Sequence, residues 1–171
     1  MKAQQLPTRL YILFFIISFF IYNPAFSQDN FEDTKIVKNV FKAFKKKKEK
    51  IILKSLSNKK DVNYIILLAK AKKPEEKIPS ADTIIADFKR DLSVNFKKII
   101  KKGESFGVAW ENMVLTKISY ASNPDRYIDV ERGDITLECE SDNKKFLIIL
   151  KKSYKIRGSW RLMNNIKFSL L

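Results

Sequence analysis

The hydrophobic period of this chain changes once, near Gly107, and that change restricts it to helices first and strands afterwards. Over residues 31–102 apolar side chains recur every three or four positions. Phe31, Ile36, Val40, Phe41 and Phe44 make one stripe, with Asp29 or Asn30 as the expected cap. Ser57 or Asn58 is placed to cap a second helix carrying Val62, Ile65, Ile66 and Leu68, which fades before Pro74. Residues 73–79, with prolines at 74 and 79, read as a loop. Ser80 then caps a long helix with Ile84, Ile85, Phe88, Leu92, Phe96, Ile99 and Ile100 on one face. Asp82 suits its positive N-terminal end, and Lys97, Lys98, Lys101 and Lys102 its negative C-terminal end. Gly103 is read as its stop.

Beyond Gly107 the period is two. The pattern predicts strands over 110–120, 134–140, 145–154 and 159–166. Asn123-Pro124-Asp125, Ser141-Asp142-Asn143 and Arg157-Gly158 supply the turns. Residues 146–150 are apolar on both faces, which places their strand centrally. Strands joined by turns this short are antiparallel neighbours. The expectation is an α+β domain: N-terminal amphipathic helices packed on a C-terminal curved antiparallel meander of about four strands. Phe88, Leu92, Phe96, Leu137, Cys139, Ile148 and Trp160 are its expected core.

The segment before the first helix reads as an address. Lys2 and Arg9 precede a 13-residue apolar run over 10–22, broken by Asn23-Pro24. Ala25-Phe26-Ser27 then places small residues at −3 and −1 of a cleavage before Gln28. As a helix this run spans about 20 Å, short of the roughly 30 Å hydrocarbon core, so a cleaved signal fits better than an anchor. No cysteine lies near the cleavage point to take a lipid. The expected organisation is a signal peptide over 1–27 and one domain over 28–171, secreted or periplasmic, not a lipoprotein and without a transmembrane segment.

Composition narrows the chemistry. There is no histidine and only one cysteine, Cys139, which excludes histidine triads, histidine metal sites, CxxC redox chemistry and an internal disulfide. With four glycines in all, no phosphate-cradling motif is present. Cys139 shares the inward face of its strand with Ile135 and Leu137, so it reads as a small buried hydrophobe. No catalytic, cofactor or metal-binding residue is assigned and no cofactor is expected.

The layout and the final hairpin, Lys155-Ile156-Arg157-Gly158-Ser159-Trp160-Arg161-Leu162, resemble the small secreted cystatin-like proteins of Bacteroidetes type. That group includes relatives of the nuclear-transport-factor and ketosteroid-isomerase fold without assigned function. The resemblance rests on the turn glycine Gly158 followed by Trp160 and Leu162. It implies a cone-shaped sheet wrapped on a helix, sometimes with a pocket, and it carries no activity over.

Three constellations remain. Lysine is abundant in the chain, with a net charge of +15, and the densest run is 42–54 (KAFKKKKEKIILK). Lys45, Lys46, Lys47 and Lys48 form a candidate site for an anionic surface, a membrane or an acidic glycan. The competing reading is a solvated helix end whose lysines complement the dipole. Specific nucleic-acid recognition is not expected, because the aromatics sit on the core stripe. Glu138 and Glu140 are separated by about 7 Å on one strand face, a spacing glycosidases use but also an ordinary solvated face. Asp125, Asp129, Glu131 and Asp134 cluster around a loop without the glycine and alternation of a calcium site. Trp110, Tyr120, Tyr127, Tyr154 and Trp160 are candidates either for core packing or for lining a pocket. The functional expectation is a non-catalytic binding or interaction module, with an anionic surface or another envelope protein as partner. The alternatives are a ketosteroid-isomerase-like pocket enzyme and a lysine-rich anionic-surface binder.

Overall fold

A computed structural model describes residues 30–171 apart from Asn164, so the expected signal segment and the candidate cap Asp29 lie outside the described residues. A short 3-10 turn, Phe31–Asp33, leads into α1 (Lys35–Lys45), followed by α2 (Glu49–Ile52), a 3-10 turn Leu53–Ser55, α3 (Lys59–Lys72) and α4 (Ala81–Ser105). A third 3-10 turn, Trp110–Asn112, precedes β1 (Val114–Ser122), β2 (Arg132–Ser141), β3 (Lys144–Ile156), β4 (Ser159–Arg161) and β5 (Ile166–Leu170). The described residues are thus α+β, with four helices followed by an open antiparallel sheet.

Local chemistry sets the helix ends. Asn58 caps α3 through a capping box: its side chain accepts from Asp61 N–H at 3.0 Å, and the Asp61 carboxylate accepts from Asn58 N–H at 3.2 Å. Ser80 Oγ accepts from Thr83 N–H and caps α4 as expected. Asn30 does not cap α1. Thr34 occupies that position, and its hydroxyl instead donates to Phe31 C=O.

The stop assigned to Gly103 is corrected: α4 runs through it to Ser105, and Gly103 is buried inside the last turns. The termination falls at Gly107, in the left-handed region at φ +75. Val108 N–H bonds to Gly103 C=O and Gly107 N–H to Glu104 C=O, the paired closure of a Schellman motif. Gly103 serves packing instead: a Cβ there would lie 2.2 Å from Cζ2 of Trp110.

That close approach also corrects the first strand. Trp110 is fully buried and belongs to a 3-10 turn, so β1 begins only at Val114 and continues to Ser122. Its indole Nε1–H donates to Ile100 C=O at 3.1 Å. Its ring lies 5.2 Å from Phe44, 5.4 Å from Phe146 and 5.8 Å from Phe168. These aromatics join α1, α4 and the sheet into one core that extends from Phe31 to Phe168.

The sheet order is β1-β2-β3, with β4 and β5 in tandem on the far side of β3. Leu137, Cys139 and Ile148 are buried on its inner face, as are Leu92 and Phe96 opposite; Phe88 is half-buried at the margin. Asp142-Asn143 and Arg157-Gly158 turn the hairpins with both central residues at positive φ, the geometry that matches strand twist. The expected single strand over 159–166 is instead two, because Leu162 leaves β3 to bridge Leu56 in parallel. Leu162 N–H donates to Ser55 C=O at 2.8 Å, and Ser57 N–H to Leu162 C=O at 3.3 Å. Bulges at Leu115/Lys117 and Gly133/Ile135 bend the ladders.

Candidate functional site

The four candidate lysines straddle the turn between α1 and α2. Helix α1 ends at Lys45, and Lys47 takes the left-handed conformation at φ 51. Lys48 N–H bonds to Ala43 C=O and Lys47 N–H to Phe44 C=O, so the chain closes α1 with a lysine where glycine is favoured. Of the four candidate lysines only Lys45 is therefore helical, and the other three leave the helix end. Two of the four are also engaged within the molecule. Lys45 Nζ donates to Met113 C=O at 3.1 Å, and Lys47 Nζ bridges Glu104 at 2.9 Å and Glu111 at 3.5 Å. The Glu104 hydrogen bond and the charges of both glutamates hold the Lys47 ammonium above its ordinary range. Lys46 and Lys48 are exposed and have no carboxylate partner among the described residues.

Those contacts fix where the run sits. Glu104 is at the end of α4, Glu111 in the turn before β1, and Met113 immediately before Val114. The run therefore lies at the end of the molecule where α1 and α4 terminate and β1 begins. The opposite end carries the 73–80 loop, separated from it by the length of α4, about 36 Å.

The acidic loop is a clamp. Arg132 donates to Asn123 C=O and Oδ1, to Pro124 C=O, to Asp125 and to the Tyr154 hydroxyl. Those five contacts match the five donors of a guanidinium, so none is left for a ligand. Burial alone would raise the Asp125 carboxyl, but Tyr127 N–H, the Tyr154 hydroxyl and Arg132 outweigh it and hold it low. Burial likewise works against Asp134, and its bonds from Lys151 and the Lys152 N–H reverse the sign. Burial raises the Tyr154 phenol, with the bond from Arg132 opposing. Glu131 pairs with Lys155 at 3.2 Å. No group of three potential metal ligands occurs among the described residues.

Glu138 and Glu140 lie on the outer sheet face, as the alternation requires. Glu138 meets Lys117 at 3.7 Å, and Glu140 stands opposite Lys145 in the ladder. Neither carboxylate borders any cleft described here. Cys139 is 1 % exposed, and burial pushes its thiol up to about 12. The five aromatics do not converge. Trp110 is in the core, Tyr120 and Trp160 pack with Phe31, Tyr154 is in the clamp, and Tyr127 is exposed under Lys73 Nζ at 3.7 Å.

Among the described residues an open groove of about 360 Å³ lies between residues 30–32 and the edge of β1 that β2 leaves unpaired. Tyr120 borders it, but its hydroxyl donates to Arg132 C=O at 3.3 Å and burial raises the phenol. A second cleft of about 260 Å³ between α4 and β5 has Lys98, Lys102 and Lys167 at its rim and Ile99, Ile166 and Phe168 at its floor. Residue-by-residue reading had no signal for this pairing, since α4 and β5 are far apart in sequence. No protein-family model, curated protein or solved structure matches the chain.

Proposed function

We propose that residues 28–171 work as one domain, a non-catalytic binding module acting in the periplasm or outside the cell after signal cleavage before Gln28. One observation carries the reading. The space between helices and sheet, where an isomerase-like enzyme keeps its pocket, is filled by Phe44, Trp110, Leu137, Phe146 and Ile148, each fully buried. Catalysis there would need an ionisable group aimed into an apolar cavity. Here Asp125, Asp134 and Tyr154 are spent on the loop clamp and the sheet, and the clefts described all open to solvent. Helices that precede an antiparallel meander, with a long helix across the sheet, support placing the chain beside the cystatin-like proteins. Among the described residues no helix is long and apolar enough to cross a membrane.

Equilibrium titration with a neutral apolar fluorophore, N-phenylnaphthylamine, tests this. A filled interior gives no saturable one-to-one binding and no rise in Tm. Stoichiometric binding that raises Tm would instead restore the pocket-enzyme alternative.

A further inference from the structure

We infer that the end of the molecule where α1, α4 and the last rung of the sheet meet is a docking surface for an anionic lipid bilayer. The inference rests on the binding-module reading and names the partner. The last rung runs across the sheet through Val114, Glu140, Lys145 and Leu171, the final pair joined by Leu171 N–H to Lys145 C=O at 3.0 Å. Lys144 extends beside Gly107, where an added Cβ would come within 3.1 Å of its side chain. Lys102 Nζ sits 5.9 Å from both the Phe106 and the Phe168 rings, tying the end of α4 to β5. Lys47 ties the lysine run to the same place through Glu104 and Glu111.

Lysines and apolar side chains are therefore exposed together there, alongside three carboxylates that already have partners: Glu104 and Glu111 on Lys47, and Asp142 on the Asn112 amide. Lys46, Lys48, Lys101, Lys102, Lys144 and Lys145 are exposed and have no carboxylate bridge among the described residues. Among and beside them Phe106 is 43 % exposed, Val114 58 %, Leu170 40 % and Leu171 70 %. Half of the eight large hydrophobics that the described surface exposes thus gather at one end. The helix dipole accounts for lysines at the ends of α1 and α4, but not for Lys144 and Lys145 on a strand. An acidic polysaccharide would use the lysines and leave the apolar side chains without a partner. A bilayer takes both: phosphates meet the ammonium groups while Phe106, Leu170 and Leu171 enter the boundary between headgroups and acyl chains.

Co-sedimentation with vesicles of phosphatidylcholine alone, and of phosphatidylcholine with 30 mol% phosphatidylglycerol (roughly the anionic share that gives a strong surface potential), tests the inference. The parent protein should bind only the anionic vesicles, and less as salt shortens the Debye length. Each lysine near such a surface is worth about fivefold in partitioning, so K101Q/K102Q/K144Q/K145Q should lose several hundredfold. F106S/L171S should lose roughly tenfold or more at unchanged charge. K60Q/K70Q/K72Q/K77Q, which removes equal charge away from this end, should change binding less than about threefold. The Tm of each variant checks that the exposed substitutions leave the fold intact. Equal losses from both quadruple variants, or no binding of the parent, would overturn the inference. So would charge-dependent binding that F106S/L171S leaves unchanged. If the parent ignores lipid but binds heparin through the same four lysines, the lipid inference fails while the binding-module reading stands.

Discussion

Gly103→Ala opposes two effects of known size at one residue. In a helix interior the substitution gains about 1 kcal/mol of propensity. In this helix the new Cβ would lie 2.2, 2.8 and 3.1 Å from Cζ2, Cε2 and Cη2 of Trp110. Carbon atoms in contact sit at about 3.5–4.0 Å, so ring or helix must move by more than about 1 Å. The indole cannot slide freely: Phe44, Phe146 and Phe168 surround it, and Nε1 is bonded to Ile100 C=O. Overpacking of this kind costs about 1–3 kcal/mol and more where relaxation is blocked. The expected net loss is about 2 kcal/mol, a fall of roughly 6 °C in Tm for a domain of this size. Urea unfolding of a double-mutant cycle isolates the cause. All three clashing atoms belong to the six-membered ring that Trp110→Phe removes from that position. In the Trp110→Phe background Gly103→Ala should therefore be neutral or stabilising by up to about 1 kcal/mol, a coupling of about 2–3 kcal/mol. A Gly103→Ala protein more stable than the parent, or an equal loss in both backgrounds, would refute the packing argument.

Leu92 is 2 % exposed at the centre of the α4 face, and Leu92→Ala should cost about 2–5 kcal/mol by urea unfolding; a loss under about 0.5 kcal/mol would mean that face is wrongly assigned. Asp134 has its folded pKa held down, so its contribution is fully present above the unfolded value near about 3.9 and is lost as pH falls through the lower folded value. Asp134→Asn should accordingly be less stable than the parent at pH 7 (roughly neutral conditions, well above both values), with the gap closing under strong acid. A gap that persists unchanged at the lowest pH would contradict this.

The parts of the fold that were legible in the sequence were those set by neighbours along the chain. Asn58 and Ser80 cap helices because their side chains reach N–H groups three residues on. The alternation of Ile135, Leu137 and Cys139 fixes the inner face of β2 without reference to any other element. Errors arose where a distant partner decides. Gly103 looks like a stop until Trp110 is known to lie on it, and Trp110 looks like strand for the same reason. The last strand is divided because Leu162 pairs with Leu56, more than a hundred residues earlier. The lysine run was visible as charge, but Glu104 and Glu111, which engage Lys47, are far along the chain. The exposed Phe106 and Leu171 were invisible as a pair for the same reason, and with them the proposed docking end of the molecule.

The most direct measurement of that end is the insertion depth of a fluorophore placed on it. Cys139 is buried with its thiol raised to about 12, so a new surface cysteine can be labelled alone. Leu171→Cys carries the label at the proposed docking end, and Glu76→Cys carries it in the loop at the far end of α4. With anionic vesicles that contain a quencher at the headgroup–acyl boundary, the label at 171 should shift to the blue and be quenched, while the label at 76 should stay as in buffer. Quenching at 76 equal to or greater than at 171 would contradict the account, as would no change at 171 when the protein is vesicle-bound.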